Sequence, residues 1–292
     1  MKSVQFANVE EQYRKYAGQL LASDVQRLGD WARTQPHLPS INESELMLFL
    51  HSNYYDLEAA QRTIESYYTF RTSCKNMFGN RDFNREAIQI AMNVVDLALL
   101  PELTAEGYRV MLAKVVDSDT SKFSLNSILV LVTMCVDVAI WEEGCNNGSI
   151  IIIDMDGIHL GHLAKLGIFT LKDLLYYIQE GLPIRMKGLH LVNVVPFIDR
   201  IMTMIRPFIK KELLEVLHLH TGMDTLYTHM PQRLLPADYD GMAKPRKVLR
   251  DQLYNHTMEC GDFLAKYDLL KRIDETKRIT KPRSMRNFFG LL

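Results

Sequence analysis

Two alternate carboxylates after an apolar run are the residues of this chain that most resemble a catalytic pair. Residues 148–162 read GSIIIIDMDGIHLGH, so Asp154 and Asp156 follow four isoleucines. Phosphatases of the haloacid-dehalogenase type present an aspartate nucleophile and an acid/base in this way. They also need a later Ser or Thr, a Lys and a second acidic pair for magnesium. The later pair, Asp238 and Asp240, follows a proline rather than a strand, so phosphoryl transfer is a distant alternative.

Two histidine pairs are the other candidates for chemistry, because imidazole is a common metal ligand. His218 and His220 are two residues apart, which places both on one face of a predicted strand. His159 and His162 are three residues apart, on a helical turn or in a loop. Because neither pair has an evident third ligand, we predict packed histidines, no metal site and no cofactor.

The composition is that of an ordinary globular protein, with 47% hydrophobic and 24% charged residues among 292. The longest apolar run, 127–141, is interrupted by Asp137 and is shorter than the roughly 20 residues that cross a bilayer. The N-terminus has no apolar segment typical of a secretory signal. Four cysteines without C-x-x-C spacing predict reduced thiols. Together these features favour a cytoplasmic protein.

Charge is unevenly distributed, although the net charge is only −1. Residues 242–292 contain 12 Lys and Arg against 6 Asp and Glu, a net of +6, which leaves −7 for the rest. Such a basic end is either a solvated tail or a surface attracted to anionic lipid headgroups. Aromatic residues are not interleaved with the basic cluster, so nucleic-acid binding is not expected.

The spacing of apolar residues predicts a helical first part, followed by strands that alternate with helices. Helical spacing runs over 8–33, and new helices begin at a capping box of Asn42 with Glu45 and at a cap residue, Asp56. Strands are predicted at 108–117, 149–157, 188–195 and 216–222, with helices near 125–141, 170–181 and 196–205. This alternation predicts a largely parallel sheet covered by helices, an α/β fold.

Several ordered motifs in residues 42–241 resemble those of the CRAL-TRIO lipid-transfer family. LMLFLHSNYYDLEAAQRTIESYYTFRTSC is similar to its N-terminal helical module, except that His-Ser-Asn at 51–53 replaces a basic pair. GSIIIIDMDGIHLGHL is similar to its strand ending in Asp-x-x-Gly, and GLPIRMKGLHLVNVV to its basic pair and following strand. MIRPFIKKELLEVLHLHTG and LPADYDG match the lid helix, closing strand and terminal motif. The likeness is nearest to the tocopherol- and retinaldehyde-binding members.

The resemblance implies an N-terminal all-helical module followed by a largely parallel sheet, covered by helices, that encloses a hydrophobic pocket. We assign residues 1–85 to the module, 86–245 to the lipid-binding domain, and 246–292 to a basic tail packed on that domain. The resemblance also makes Asp154 a strand-end residue of the sheet rather than a nucleophile.

The resemblance further implies which residues meet a ligand and which meet a membrane. The helix in VPFIDRIMTMIRPFI, residues 195–209, is expected to close the pocket. The predicted ligand-binding residues are Ile128, Cys135, Ser149, Ile151, Ile153, Ile158, Leu160, Leu174, Tyr177, Ile178, Leu182, Ile184, Met186, Leu189, Leu191, Phe197, Ile201, Ile205 and Phe208. The predicted anionic-lipid-binding residues are Arg185, Lys187, Arg206, Lys210 and Lys211. Glu212 and Val216 replace two further basic residues of the family's phosphoinositide site.

The expected function is that of a monomeric carrier without enzymatic activity. It would bind one small hydrophobic ligand, such as a retinoid, tocopherol or carotenoid, and transfer it between membranes by opening the lid helix. Its second partner would be an anionic membrane surface, with phosphoinositide as a candidate lipid. The alternative is a lipid-sensing regulatory or scaffold module.

Overall fold

A computed structural model describes residues 2–279 and has the predicted α/β class. The helices are α1 Val9–Lys15, α2 Ala22–Arg33, α3 Glu43–Ser52, α4 Leu57–Ser73, α5 Lys75–Phe78, α6 Glu86–Val94, α7 Leu125–Glu143, α8 Leu160–Leu163, α9 Ile168–Tyr176, α10 Ile198–Ile205, α11 Lys211–Glu215, α12 Met223–Leu226, α13 Arg246–Glu259 and α14 Gly261–Leu270. The strands are β1 Val95–Leu99, β2 Tyr108–Val115, β3 Gly148–Asp154, β4 Met186–Val192 and β5 Leu217–Leu219. A π-helical turn, Tyr177–Gly181, continues α9, and a 3₁₀ turn, Arg206–Phe208, follows α10.

Two helices of the N-terminal part begin at the predicted caps. The Asn42 side chain accepts a hydrogen bond from the Glu45 N–H at 2.8 Å, and the Glu45 carboxylate accepts one from the Asn42 N–H at 2.8 Å. Asp56 accepts the N–H of Ala59 at 2.9 Å. These bonds satisfy backbone donors that have no partner inside the helix. They confirm the predicted starts of α3 and α4.

The five strands form one sheet in chain order, β1-β2-β3-β4-β5. β1 is antiparallel to β2, and the other neighbours are parallel. The sequence predicted β2 to β5 but missed β1. Residues 86–99 run from α6 into β1 with no Gly or Pro between them, so apolar spacing alone does not separate the helix from the strand.

The back face of the sheet is buried at its centre, and the front face is covered by helices. On the back face, Leu112, Ile150, Ile152 and Val192 pack with Leu226 and the turns that follow α12. On the front face, α7 and the N-terminal helices share one large hydrophobic cluster with β1 and the C-terminal helices. This cluster, called the main core below, joins the three segments that we assigned as domains, whose boundaries stay predictions.

Helix α13 of the C-terminal segment packs on the sheet. The Tyr254 hydroxyl of α13 donates to the Val95 carbonyl of β1 at 2.7 Å and accepts the Leu97 N–H at 3.3 Å. α13 therefore covers the antiparallel edge of the sheet. Residues 280–292 of the predicted tail lie outside the described residues.

Helix α7 has the length and hydropathy of a membrane-spanning helix, but in this fold it is a core helix. Leu131, Met134 and Cys135 are completely buried against other helices. Asp137, near its middle, is only 2% exposed and is paired with arginines. The apolar character of α7 is thus explained by burial in protein.

Four charges, three of them buried and Asp268 half-buried, join distant parts of the chain, and we call them the quartet. Arg71 of α4 donates to Asp137 at 3.0 Å and to Asp268 of α14 at 3.2 Å. Arg81, after α5, donates to Asp137 at 2.6 Å and to Asp268 at 2.7 Å. Because each arginine contacts both carboxylates, the quartet is neutral and its charges are paired, which burial requires. It fixes α4, α7 and α14 relative to one another.

Replacing one member of the quartet should strongly destabilise the protein. We expect Asp137→Asn to lower the free energy of unfolding by about 3–5 kcal/mol, because two buried arginines would then share one carboxylate. Asp30→Asn, which breaks an exposed ion pair with Arg33, should cost less than about 1 kcal/mol. Urea denaturation of both variants measures the difference. Equal losses would show that the quartet adds nothing beyond a surface pair.

Candidate functional site

The front face carries a row of apolar side chains that are only half-buried. Met111, Ile151, Leu189 and Leu217 lie side by side across β2 to β5. Three of them come from inner strands of the sheet, where side chains are usually packed. Met111, Ile151 and Leu189 also lie outside the three hydrophobic clusters that the described residues form. Apolar surface of these side chains therefore remains accessible.

The next row lies closer to the carboxyl end of the strands and is covered by α10, the predicted lid. Leu191 is buried with Ile201 of α10, and Ile153 packs on the same small cluster. Ile201 is 8% exposed, whereas Ile198 and Ile205 of the same helix are half-buried. α10 thus lies over the sheet on a cluster separate from the main core. We call the two front-face rows the floor.

Most other predicted ligand residues are half-buried rather than fully buried. Those that are half-buried are Ser149, Ile158, Leu174, Ile178, Leu182, Ile184, Met186, Phe197 and Phe208. Ile158 packs against both the main core and the α10 cluster, so it lies between them. Leu160 is 55% exposed. These positions are compatible with pocket lining, and the assignment stays a prediction.

Three predicted ligand residues lie in the main core instead. Ile128 is buried on α7, and Cys135 is completely buried with its Sγ 3.8 Å from the Thr257 hydroxyl of α13. Tyr177 stacks on Phe70 with ring centroids 5.6 Å apart, and its hydroxyl is 3.4 Å from the Arg71 guanidinium. Burial raises the pKa of the Cys135 thiol to about 12, so this group is uncharged. A ligand would reach these three only by displacing core contacts.

The sequence missed two floor residues, Met111 and Leu217. Both occur in segments that were predicted as strands. Their position beside Ile151 and Leu189 depends on the register between neighbouring strands, and a single sequence does not contain that register. Alternation along β2 shows which residues share a face with Met111, but it does not show that this face is the front face of the sheet.

A separate cleft of about 320 Å³ lies between the start of α7 and the start of α9. Its lining residues are Phe123, Ser124, Leu125, Asn126, Lys165, Gly167 and Thr170. None of the predicted ligand residues lines it. Its walls include a Lys, an Asn and hydroxyl groups, so it lacks the apolar lining expected of a lipid site.

The first two predicted basic residues are held against the N-terminal helices. Arg185 donates from Nε to the His51 carbonyl at 2.8 Å and lies 4.3 Å from the Tyr54 ring centroid. Lys187 donates to the Tyr54 hydroxyl at 2.9 Å. Tyr54 and Tyr55 both have left-handed backbones, with φ of 53° and 67°. This strained turn and the two cations therefore form one structural contact at the start of β4.

The other three basic residues follow the lid. Arg206 is exposed, Lys211 is 85% exposed, and Lys210 pairs with Glu180. They precede β5, which is parallel to β4. The Lys210 N–H donates to the Gln179 side chain, and Lys210 pairs with Glu180, so this segment lies near the residues that precede β4. The five cations therefore do not form one cluster.

Asp154 is held by a set of hydrogen bonds at the other edge of the sheet. Its carboxylate is 2.7 Å from Lys114 Nζ, and it accepts from the Tyr239 hydroxyl at 2.7 Å and the Asn193 amide at 2.9 Å. It is 1% exposed. Burial by itself would raise the pKa of Asp154, but these donors outweigh it and keep the pKa below its ordinary value. Because its carboxylate accepts these hydrogen bonds, Asp154 links β2, β3 and the turn after β4.

The structure adds two histidines to the pair predicted at 218 and 220. His190 of β4 stacks on His218 with ring centroids 4.9 Å apart, and His229 lies 4.3 Å from His218. Burial and the neighbouring imidazoles lower the pKa of His190 to about 3 and also lower that of His220. These two rings are therefore neutral at pH 7. Because His190 and His229 are distant in sequence, no local spacing could have revealed the group.

Two regions of the chain match known protein families. A family model of the CRAL/TRIO domain matches residues 96–241, which is half of the chain. The chain belongs to the CRAL/TRIO family. A second model, of the Pinta-like UBA domain, matches residues 18–88, so the helical part of this CRAL/TRIO protein also resembles a known module.

Individual relatives are distant. Alpha-tocopherol transfer protein-like of Mus musculus is 28% identical over 224 residues, which cover 75% of this chain and 65% of that protein. Clavesin-2 of Rattus norvegicus is 23% identical over 276 residues, which cover 91% of this chain and 83% of that protein. The crystal structure of Sfh5 superposes with a TM-score of 0.44 and 13% identity, over 91% of this chain and 99% of that one.

The pH dependence of stability tests the role of Asp154. Its lowered pKa means that the ionised carboxylate stabilises the fold above the unfolded value of 3.8, and that this contribution is lost as pH falls through the folded pKa. We expect Asp154→Asn to cost about 1–3 kcal/mol at pH 7 and less at pH 3, as measured by urea denaturation. Asp156→Asn, at a 70% exposed side chain, serves as the control. A loss for Asp154→Asn that is equal at both pH values would contradict this role.

Proposed function

We propose that this CRAL/TRIO protein is a cytoplasmic carrier that binds one small hydrophobic molecule on the floor and releases it at a membrane when α10 moves. The observation that carries the proposal is the row of half-buried apolar side chains on inner strands, under an amphipathic helix. Apolar surface that stays in contact with water costs about 25 cal/mol per Å². A hydrophobic ligand that covered the floor would remove this cost.

The ligand is expected to be mostly apolar. Around the floor, Ser149 contributes one hydroxyl, and the other strand residues that we assign are aliphatic or methionine. A pocket with few polar groups orients a ligand through one or two hydrogen bonds and selects it by shape. Retinoids, tocopherols and carotenoids have this chemistry, and one relative is named for tocopherol. The proposal uses the floor and lid residues and does not depend on Cys135 or Tyr177.

The attachment of α10 favours a movable lid. Its cluster has only four buried members, Met155, Leu191, Val195 and Ile201. Pro196 precedes the helix and Pro207 follows it, and a proline interrupts the hydrogen bonding that would extend a helix. Asp199, Arg200 and Thr203 are exposed on the opposite face. Opening α10 would therefore expose a small cluster and leave the main core intact.

The basic residues at the end of the lid suit docking on an anionic membrane. Arg206 and Lys211 are exposed where the lid ends, and each such charge is worth about 1 kcal/mol near an anionic surface. A membrane opens the lid only if it binds the open state better than the closed one. Phe197, Ile205 and Phe208 could supply that difference by contacting the bilayer.

A second candidate function is a lipid-sensing module, and one contact favours it. Arg185, next to the predicted ligand residue Met186, holds the Tyr54 turn of the N-terminal helices. A ligand that shifted β4 would move this turn. A protein that retains lipid but does not transfer it to vesicles in either direction would fit this function better than that of a carrier.

Filling the floor should prevent ligand uptake. A ligand that buries about 500 Å² of apolar surface gains on the order of 12 kcal/mol before ordering costs. We expect Ile153→Trp and Leu189→Trp to reduce the bound lipid by on the order of tenfold or more, because the indole occupies the ligand's space. Mass spectrometry of organic extracts measures occupancy and identifies the ligand. Leu269→Trp, at a 72% exposed position on α14, is the control. Unchanged occupancy in both floor variants would place the site elsewhere.

Reversing exposed charges at the lid end should slow delivery. We expect Arg206→Glu with Lys211→Glu to slow ligand transfer to anionic vesicles by roughly fivefold per charge, and to leave affinity in solution unchanged. Arg62→Glu with Lys75→Glu makes the same charge change at exposed positions of the N-terminal helices. Transfer by the wild type should also slow as salt rises, because exposed charges are screened. A rate indifferent to both changes would rule out docking through these residues.

A further inference from the structure

Four histidines from three segments meet on the back face of the sheet, which is the face opposite the floor. His190 lies on β4, His218 on β5, His220 directly after β5, and His229 shortly after α12. One nitrogen each of His190, His218 and His229 lies within 4.8 Å of the other two. Positions beside a hydrophobic core are usually occupied by aliphatic residues. Three converging imidazoles at such positions are unusual.

A hydrogen-bonded chain orients the deepest ring. The Thr225 hydroxyl is 3.2 Å from the Gly222 carbonyl, to which it donates. It accepts from His220 Nδ1 at 2.8 Å, and His220 Nε2 lies 2.9 Å from His190 Nδ1. With the proton on His190 Nδ1, every donor and acceptor in this series of hydrogen bonds has a partner. Hydrogen bonds of this kind, made by the nitrogen that does not bind the metal, hold metal-binding histidines in the required tautomer.

This tautomer leaves His190 Nε2 with a free lone pair. The opposite tautomer would put a proton on Nε2 of a ring that is 2% exposed, and no acceptor within residues 2–279 is hydrogen-bonded to that atom. Gly188 gives Nε2 room, since a β-carbon there would lie 2.5 Å from it. Nε2 is therefore an unprotonated donor atom on a buried ring.

The other two rings can adjust around this fixed donor. His218 is half-buried and His229 is exposed. A tetrahedral Zn²⁺ has Zn–N distances of about 2.0–2.1 Å, which places its nitrogen ligands about 3.3 Å apart. The present separations exceed this by up to roughly 1.5 Å, which rotation of two accessible side chains can close.

We propose that His190, His218 and His229 form a binding site for a late first-row transition ion, with Zn²⁺ as the fitting ion, and that His220 and Thr225 position it. Imidazole nitrogen suits Zn²⁺, Cu²⁺ and Ni²⁺, whereas Mg²⁺ and Ca²⁺ prefer oxygen. Three protein ligands leave one coordination position on the exposed side for water or another ligand. The ion would tie β5, at the edge of the sheet, to β4 and to the turn that follows α12.

The proposal is independent of the carrier function, because the histidines and the floor lie on opposite faces. Zn²⁺ binding is measured on the whole chain, without an affinity tag, by competition with a chromophoric chelator. We expect one Zn²⁺ per chain, a melting temperature that rises with Zn²⁺ and not with Mg²⁺, and visible absorption of a tetrahedral site with Co²⁺. Absence of Zn²⁺ binding overturns the proposal.

Matched variants assign the bound ion to this site. His229→Gln and His218→Gln, at accessible positions, should weaken Zn²⁺ binding by about 100-fold or more, and His220→Gln by about 10- to 100-fold. His159→Gln is the control, since its ring nitrogens lie 2.9 Å from the Ser118 carbonyl and 3.2 Å from the Gly161 N–H. Wild-type affinity in both ligand variants overturns the assignment. The bound ion would then be assigned to Glu142, His256 and Cys260, whose donor atoms also lie close together.

Discussion

The fold depends most on the quartet of Arg71, Arg81, Asp137 and Asp268. Charges can be buried together only if each finds its partners, because an unpaired ion in a protein interior costs several kcal/mol. The geometry that satisfies them brings α4, α7 and α14 to one point. Aromatic rings complete the site: the Arg71 guanidinium lies 4.4 Å from the Phe78 ring centroid and 4.8 Å from that of Tyr67. The quartet thus selects one arrangement of segments that hydrophobic packing alone would define less sharply.

This arrangement allows the front face to stay incompletely packed. The back face is buried at the centre of the sheet, and Asp154 fastens the carboxyl ends of the strands through Lys114, Asn193 and Tyr239. Stability comes from these parts and from the main core, so the floor and α10 can be less densely packed. A binding site needs such a division, since a face that is completely filled by its own side chains has no space for a ligand.

The sequence predicted those features that depend on local chemistry. Asn42 and Asp56 specify caps through neighbouring residues, and the strand at 148–154 is evident from its isoleucines. β1 was missed because it continues an apolar helix without a break. Other features depend on contacts between distant segments, which the sequence does not contain. They are the burial of Cys135 and Tyr177, the position of Met111 on the floor, and the proximity of His190 to His229. The family assignment came from ordered motifs, which carry long-range information that periodicity does not.

The order in which the quartet is synthesised has a consequence for folding in the cell. Each strand pairs with the strand made before it, so the sheet can grow while the chain emerges from the ribosome. Asp268 is the last of the four charges to be made. Until it appears, Arg71 and Arg81 share one carboxylate, and the unbalanced charge disfavours burial of this junction. We therefore expect the packing of α4 against α7 to be completed only after α14 has been synthesised.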